Sequence, residues 1–259
     1  MSNFERTKSG TNTVRIPFIA LVGMIVAIAL LTLLLWSIWR GSRDTHLVVK
    51  NPGELSALLP SIVGLTQSSL ENGNQIELLE NGDGFFPPLL RDIAAAKETI
   101  HIESYIWWKG PICEQIAKAL AAKAREGVEV RLLVDASGGH KMLKELDKMM
   151  EDSGVKLARF HPFRVSNIGR MNNRDHRKVA IIDGRIGYIG GYGIADEWTG
   201  HAQDKKHWRD TGLRVVGPVV NRLQAAFCEN WIEETGEIPA GDKYFPHTEV
   251  AGTIPAHVA

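Results

Sequence analysis

Three residues in a short segment have the chemistry needed to transfer a phosphoryl group. His176 and Lys178 stand two residues apart, and Asp183 follows five residues after Lys178. Residues two apart on an extended chain project from the same face, so the imidazole would lie beside the ammonium group. A histidine can carry a phosphoryl group covalently, and a fixed positive charge stabilises phosphate oxygens as they gain charge. The spacing therefore predicts phosphodiester transfer. The alternative is a solvated histidine and lysine ahead of a core strand, and the three residues alone leave it open.

Asp183 ends an apolar run and stands directly before Gly184. This position at a strand end predicts a supporting role, in which the carboxylate fixes the loop and nearby polar groups without touching substrate.

The elements that would position these residues alternate between short apolar runs and helical stretches. Strands are predicted at 76–80, 99–108, 128–136, 155–162, 178–183 and 185–191, and helices at 85–97, 112–126 and 141–151. Strands separated by helices of about 10 to 15 residues are typical of an α/β layered domain whose helices cover a mostly buried sheet. We therefore predict one α/β domain.

A long apolar segment precedes that domain. Residues 16–39 carry no charge and are flanked by Arg15 and Arg40. A helix of this length reaches roughly 36 Å, which exceeds the bilayer core of about 30 Å. The run is longer than the apolar part of a signal peptide, about 7 to 15 residues, and no A-x-A site follows it. We predict one transmembrane helix, with Trp36 and Trp39 at the membrane interface.

The sequence divides into five parts on these patterns. We predict a tail at 1–15, a membrane span at 16–39, a linker with a short helix at 40–75, a catalytic domain at 76–238 and a C-terminal tail at 239–259. The basic residues on either side of the span balance, so they do not predict its orientation.

Overall charge and cysteine content narrow the function. The 30 basic and 30 acidic residues cancel, which argues against nucleic acid as a partner. Cys113 and Cys228 lie far apart without C-x-x-C spacing, so neither a disulfide framework nor a zinc site is indicated. No metal or other cofactor is expected.

The order H-x-K-x-x-x-x-D at positions 176–183, together with its context, resembles the phospholipase D superfamily and within it the bacterial cardiolipin synthases. The resemblance extends from about Ile76 to Trp231 and includes AAKETIHIESYIWW, AAKAREGVEVRLLVD, RDHRKVAIIDGRIGYIGG, HWRDTGLRVVGP and AAFCENWIEETGE. It implies a phospholipase D-like fold, a mostly buried mixed sheet flanked by helices.

The resemblance also implies roles for individual residues. His176 is the histidine that attacks phosphorus or protonates the leaving alcohol, Lys178 binds phosphate, and Asp183 is the motif carboxylate. Asp210 in HWRDT is similar to the family's downstream acidic residue, which hydrogen-bonds the histidine and sets its tautomer.

One position departs from the family pattern. The family has G-G-x-N or G-S-x-N after the motif, whose asparagine helps to bind phosphate, whereas this chain has Gly193 there. Backbone N–H groups of Gly190, Gly191 and Gly193 are candidates to replace that contact, because glycine lets the main chain approach an anion closely. Reduced activity is the other interpretation. Glu103, at a predicted strand end, is a further candidate substrate contact, although packing of its aromatic neighbours against the sheet explains that segment equally.

The resemblance implies an active site built from two motifs, one histidine serving as nucleophile and the other as general acid. This chain has one motif, because no other histidine has a lysine two residues later. One possibility is that the chain pairs with an identical copy as a homodimer, or with a second motif-bearing chain. The other is that the chain is a shortened half with little activity of its own.

The function implied is transfer or hydrolysis of a membrane glycerophospholipid through a phosphohistidine. Phosphatidylglycerol as donor and acceptor would give cardiolipin, and water as acceptor would give phosphatidic acid. The predicted anchor favours a lipid substrate and a single-pass location in the cell membrane, with the cytoplasmic face as the first expectation for the domain. A membrane-anchored nuclease and a non-catalytic partner of a complete homologue are the alternatives.

Overall fold

The computed structural model describes residues 17–40, 54–162 and 173–259. The predicted tail at 1–15 and residues 41–53 of the predicted linker lie outside the described residues. The chain forms two compact units that divide after Leu55.

The first unit contains one apolar helix, α1 (Phe18–Arg40). Its segment Phe18–Ser37 has a mean hydropathy of 3.0 and is not buried, and within the described ranges it is the one helix long and apolar enough to cross a membrane. The Trp36 side chain is exposed, whereas the side chain of Trp39 lies outside the described residues. The prediction of a single N-terminal apolar helix is confirmed.

The second unit is an α/β domain. Its elements are α2 (Leu55–Thr66), β1 (Glu71–Glu80), α3 (Asn81–Ala95), β2 (Thr99–Ser104), α4 (Pro111–Arg125), β3 (Glu129–Asp135), α5 (Lys144–Asp152), β4 (Lys156–Phe160), β5 (Lys178–Ile182), β6 (Ile186–Gly190), β7 (Thr211–Val216), α6 (Val220–Thr235) and β8 (Ile254–Ala256). The strands form one sheet in the order β4-β3-β2-β5-β6-β7-β1-β8. Strands β2, β3 and β4 run parallel, and the other neighbours pair antiparallel. The predicted α/β class, with a mixed sheet flanked by helices, is confirmed.

Helices cover both faces of the sheet. Alternate residues of a strand point to opposite sides, so each strand packs against helices on both faces. On β5, Val179 and Ile181 pack with the buried residues Phe227 and Trp231 of α6. The intervening Ala180 and Ile182 belong to the larger core that α3, α4 and α5 complete. The strands that carry the predicted site are therefore held rigidly from two sides.

Strand pairing brings several strand ends to one edge of the sheet, here called the site edge. Ser104 at the end of β2 pairs with Lys178 at the start of β5, and Gly190 at the end of β6 pairs with Gly212 near the start of β7. Loops that follow β2 and β6 and loops that precede β5 and β7 therefore meet there.

The structure differs from the sequence patterns in several places. Strand β1 starts at Glu71, before the predicted residue 76, and β2 ends at Ser104, before the predicted residue 108. β2 ends early because the Ser104 hydroxyl donates to the carbonyl of Ile106 and the chain leaves the sheet. Elements β7, α6 and β8 have no counterpart among the predicted elements. The predicted limits of the five parts stay predictions.

Candidate active site

His176 and Lys178 lie side by side at the site edge. Lys178 is the first residue of β5, and its Nζ donates a hydrogen bond to the carbonyl oxygen of His176 at 2.7 Å. Both residues line an open cavity of about 420 Å³ that Gly190 and residues of α6 also line. The His176 side chain is exposed, and within the described ranges neither of its ring nitrogens has a hydrogen-bond partner. An imidazole whose ring nitrogens have no described hydrogen-bond partner thus lines a cavity together with a cation.

Tyr105 forms the wall behind these two side chains. Its ring centroid lies 4.8 Å from that of His176, and the Nζ of Lys178 lies 5.5 Å from it. Burial lowers the pKa of Lys178 below its ordinary value, and the charges of Asp175 and Asp210 offset part of that lowering. The two carboxylates therefore help to keep the ammonium charged, as a phosphate-binding group requires.

Two carboxylates fix the backbone that carries His176. The N–H of Asp175 donates to Oδ2 of Asp135 at 3.1 Å, and Oδ1 of Asp175 accepts from the N–H of Arg177 at 2.9 Å. Asp135 ends β3, is fully buried, and lies at the same edge. Neither aspartate is among the site residues predicted from the sequence, although one ends an apolar strand and the other directly precedes the motif histidine.

Asp183 lies at the opposite end of β5 from His176. Five residues of extended strand separate it from Lys178, which is roughly 16 Å. Its carboxylate accepts hydrogen bonds from the N–H groups of Lys97, Glu98 and Thr99 at 2.8 to 3.2 Å. These contacts fix the connection between α3 and β2 and do not reach the cavity at His176. A part for Asp183 in catalysis stays a prediction.

Asp210 lies at the site edge, directly before β7. Its Oδ2 accepts a hydrogen bond from Nε1 of Trp198 at 2.9 Å, and its Oδ1 accepts from the N–H of Thr211 at 2.8 Å. No hydrogen bond joins it to His176 within the described ranges. The structure therefore brings Asp210 to the same edge as the histidine, and its predicted role as the orienting carboxylate stays a prediction.

Gly190 ends β6 at this edge, and Gly191 and Gly193 follow it. Gly190 lines the cavity with His176 and Lys178. A methyl group on Gly191 would lie 2.5 Å from the carboxylate of Asp210, and one on Gly193 would lie 2.8 Å from the Trp198 ring and 2.9 Å from Cβ of Ile106. The backbone at both positions is therefore in close contact with its neighbours. Phosphate binding by these glycines stays a prediction.

Glu103 is buried beneath the site, with 1% of its surface exposed. Its Oε1 accepts a hydrogen bond from Nδ2 of Asn230 on α6 at 2.6 Å, and burial, together with the charge of Asp175, raises the pKa of its carboxyl group. It borders a small cavity of about 20 Å³ that Lys178 also lines. A direct contact with substrate stays a prediction for Glu103.

Within residues 17–40, 54–162 and 173–259, no group of three or more histidine, cysteine, aspartate or glutamate side chains is arranged to hold a metal ion.

Comparisons with curated proteins give a consistent family. Cardiolipin synthase of Staphylococcus aureus is 36% identical over 193 residues, which are 73% of this chain and 39% of that protein. Cardiolipin synthase 2 of Staphylococcus epidermidis is 34% identical over 221 residues, which are 84% of this chain and 44% of that protein. The chain thus spans less than half the length of these relatives.

A solved structure and a family model complete the comparison. Phosphatidylserine synthase of Haemophilus influenzae Rd KW20 shares the fold with a TM-score of 0.52 at 15% identity, over 72% of this chain and 45% of that one. The model described as "Cardiolipin synthase, PLD-like domain" matches residues 89–227, more than half of the chain and the whole H-x-K-x-x-x-x-D segment. The chain therefore belongs to the family of cardiolipin synthase, phospholipase D-like domains.

Proposed function

We propose that this chain supplies one half of an active site that transfers a phosphatidyl group between membrane glycerophospholipids through a phosphohistidine at His176. One observation carries the proposal: an exposed imidazole without a described hydrogen-bond partner lies beside the Lys178 ammonium at a cavity of about 420 Å³. A nucleophilic nitrogen and a fixed positive charge are the two groups that displacement at phosphorus needs.

The reaction follows from these two groups in two steps. In the first, a ring nitrogen of His176 attacks phosphorus, the bond from phosphorus to the leaving oxygen breaks, and a general acid protonates the leaving alcohol. In the second, an acceptor hydroxyl attacks phosphorus, the phosphorus–nitrogen bond breaks, and the acceptor proton passes to the conjugate base of that acid. Lys178 offsets the charge that develops on the non-bridging oxygens.

The acceptor determines the product. Phosphatidylglycerol as both donor and acceptor would give cardiolipin and glycerol. Water as acceptor would give phosphatidic acid. We propose the first outcome, because the curated relatives at 34 to 36% identity are cardiolipin synthases.

The general acid must come from a second motif. His176 cannot hold the phosphoryl group and protonate the leaving alcohol in the same step, and this chain has one H-x-K-x-x-x-x-D segment. We propose that two copies pair about a two-fold axis, which places equivalent residues on either side of one site. A second motif-bearing chain would meet the same need.

The apolar helix α1 supports a lipid substrate. A membrane span raises the local concentration of lipid at a tethered domain without any new contact. We propose a single-pass location in the cell membrane, and the cytoplasmic face is the side to test first.

A second candidate function is a non-catalytic half that binds a complete homologue. Gly193 favours it, because the Trp198 ring and Ile106 occupy the space that a side chain at this position would need. The contact that the family's asparagine gives to phosphate is then absent from this chain.

The test is a transfer assay with the purified full chain in nanodiscs that contain labelled phosphatidylglycerol. The wild type is compared with His176→Ala and with His247→Ala, a control whose histidine lines a pocket with Asp183 away from the site edge. Lipid chromatography separates cardiolipin from phosphatidic acid. Product that disappears in His176→Ala and persists in His247→Ala supports catalysis, and equal product from all three proteins contradicts it. Absence of product from the wild type supports the second candidate.

A further inference from the structure

A pair of buried carboxyl groups lies beneath the residues that form the site. Glu103 on β2 is 1% exposed and Asp175 next to His176 is 3% exposed, and each carboxyl group is among those that shift the pKa of the other. Oε2 of Glu103 and Oδ2 of Asp175 are both buried, and neither oxygen has a described donor. Ionised carboxylates only accept hydrogen bonds. A hydrogen bond between these two buried oxygens therefore requires that one of the carboxyl groups carries a proton.

The remaining oxygens of the pair connect separate elements. Oε1 of Glu103 accepts from Asn230 on α6 at 2.6 Å. Oδ1 of Asp175 accepts from the N–H of Arg177 at 2.9 Å, and so spans the backbone of His176. The pair thus connects β2 and α6 to the segment before β5 that carries the histidine.

The charged surroundings do not replace the missing donor. The titratable and charged groups that face the pair are Asp135 from β3, Arg177 directly before β5, Lys178 at the start of β5, and Cys228 from α6, with Arg174 near Asp135. The Arg177 guanidinium donates to Glu229 at 2.7 Å and to the carbonyl of Ala226. Cations near the pair therefore act on it through space, without a hydrogen bond to either orphaned oxygen.

We propose that Glu103 and Asp175 share one proton, and that this bridge is the device that positions the backbone of His176 for catalysis. In this arrangement the protonated carboxyl of Glu103 donates to Oδ2 of Asp175. The inference rests on the proposed function, since it assigns a positioning role within that same site. Glu103 acts through Asp175 and does not itself touch the reacting atoms.

The titration of the pair gives the proposal a pH dependence. Burial, together with repulsion from Asp175, raises the pKa of Glu103 to about 9, and burial also raises the pKa of Asp175. Because the folded-state pKa of Glu103 lies above its ordinary value of 4.5, the stabilising effect of the proton is full below that value and is lost as the pH rises through about 9. The bridge is therefore present at neutral pH and opens on the alkaline side.

Glu103→Gln keeps the hydrogen-bond geometry of the pair but removes its titratable proton. The amide Nε2 donates to Oδ2 of Asp175 and the amide Oε1 still accepts from Asn230, while the side chain no longer titrates. We expect the kcat of the wild type to decline near pH 9 as the bridge opens. Glu103→Gln should retain kcat at neutral pH and should not show this decline. Glu103→Ala removes the bridge, and we expect kcat to fall about 10- to 100-fold with little change in KM, since misplaced catalytic groups lose rate.

The direct test does not depend on activity. Infrared difference spectra of the full chain in nanodiscs, recorded in H₂O and D₂O, are compared for the wild type, Glu103→Gln and the control Glu77→Gln, whose side chain is exposed. We expect a protonated-carboxyl band in the wild type and in Glu77→Gln that fades near pH 9, and no such band in Glu103→Gln.

The possible results separate the two proposals. The same band in the wild type and Glu103→Gln overturns the shared proton, whether or not the protein transfers lipid. If the band behaves as expected in an active enzyme, full kcat in Glu103→Ala or an unchanged alkaline decline in Glu103→Gln overturns the positioning role. If Glu103→Ala does not fold, Glu103→Gln alone decides this point. An inactive wild type with the expected band contradicts the proposed function and leaves the shared proton supported.

Discussion

Nε1 of Trp198 donates a hydrogen bond to Oδ2 of Asp210 at 2.9 Å, and the same indole ring lies against the backbone of Gly193. Trp198 also meets Trp208 edge to face, with ring centroids 4.4 Å apart. The buried Trp198 side chain therefore contacts two positions that the family pattern singles out. One is the acidic residue before β7, and the other is the glycine that stands in place of asparagine.

Restoring the family's asparagine is expected to harm this chain. A Cβ at position 193 would lie 2.8 Å from the Trp198 ring and 2.9 Å from Ile106, so Gly193→Asn forces the neighbours to move. Overpacking of this kind costs about 1 to 3 kcal/mol. Denaturant unfolding of the detergent-solubilised protein measures the free energy of unfolding.

Gly64→Asn is the matched control for that substitution. Gly64 is exposed on α2 and has no atom within 4 Å of an added Cβ, so an asparagine there meets no neighbour. We expect a clearly smaller loss than for Gly193→Asn. Equal stability of Gly193→Asn and the wild type would contradict the packing argument.

Most of the helices and strands could be predicted from the sequence, because each is determined largely by the hydrophobic pattern of its own segment. The apolar run of α1 and the alternation of buried strands with helices up to β6 are visible as hydrophobic periodicity. Strand β8 has three residues and pairs irregularly with β1, so it leaves almost no periodic pattern. The early end of β2 depends on the side chain of Ser104, which hydrophobic periodicity does not register.

The site was predictable only in part, because strand pairing decides which residues meet. His176 and Lys178 are neighbours in sequence, and their contact follows from their spacing. Glu103 and Asp175 lie far apart in sequence, and they meet because β2 pairs with β5. A single sequence contains no record of that pairing, so a carboxyl pair formed across it could not be foreseen.

Asp183 is expected to contribute to stability at a distance from the cavity. Asp183→Ala leaves the N–H groups of Lys97, Glu98 and Thr99 without their acceptor and places alanine at φ +53°. We expect the free energy of unfolding to fall by about 1 to 3 kcal/mol. Asp242→Ala is the control, since Asp242 is exposed in the same surface pocket, and an equal loss in both variants would contradict a specific role for Asp183.

Acid is expected to destabilise the domain through the carboxylates around Arg131. A hydrogen bond from this buried guanidinium holds the pKa of Glu237 down to about 2. Burial raises the pKa of Glu129, but hydrogen bonds from Lys243 and Tyr244 outweigh it and hold that pKa at about 2 as well. Both folded-state pKa values lie below the ordinary 4.5, so the stabilisation is present above that value and is lost as the pH falls towards 2.

Acid sensitivity is measured as the midpoint of unfolding, determined at several pH values from 5 to 3 for the wild type and Glu237→Gln. The variant lacks one of the two titrating groups, so its stability should depend less steeply on pH. The control is Glu145→Gln, whose side chain is exposed on α5 and should leave the slope unchanged. An identical slope in the wild type and Glu237→Gln would show that the Arg131 network does not govern the acid response.

Pairing of two copies is expected to make a mixed dimer inactive. If one site needs a histidine from each chain, a dimer of the wild type with His176→Ala has one functional histidine and cannot complete both proton transfer and phosphoryl transfer. Co-expression with two different affinity tags, followed by purification on both, isolates this mixed species for the phosphatidylglycerol assay. We expect almost no product from it, whereas chains that act independently would retain about half of the wild-type rate. A mixed dimer of the wild type with His247→Ala is the control and should keep full activity. If the two tagged chains do not co-purify, the homodimer is wrong.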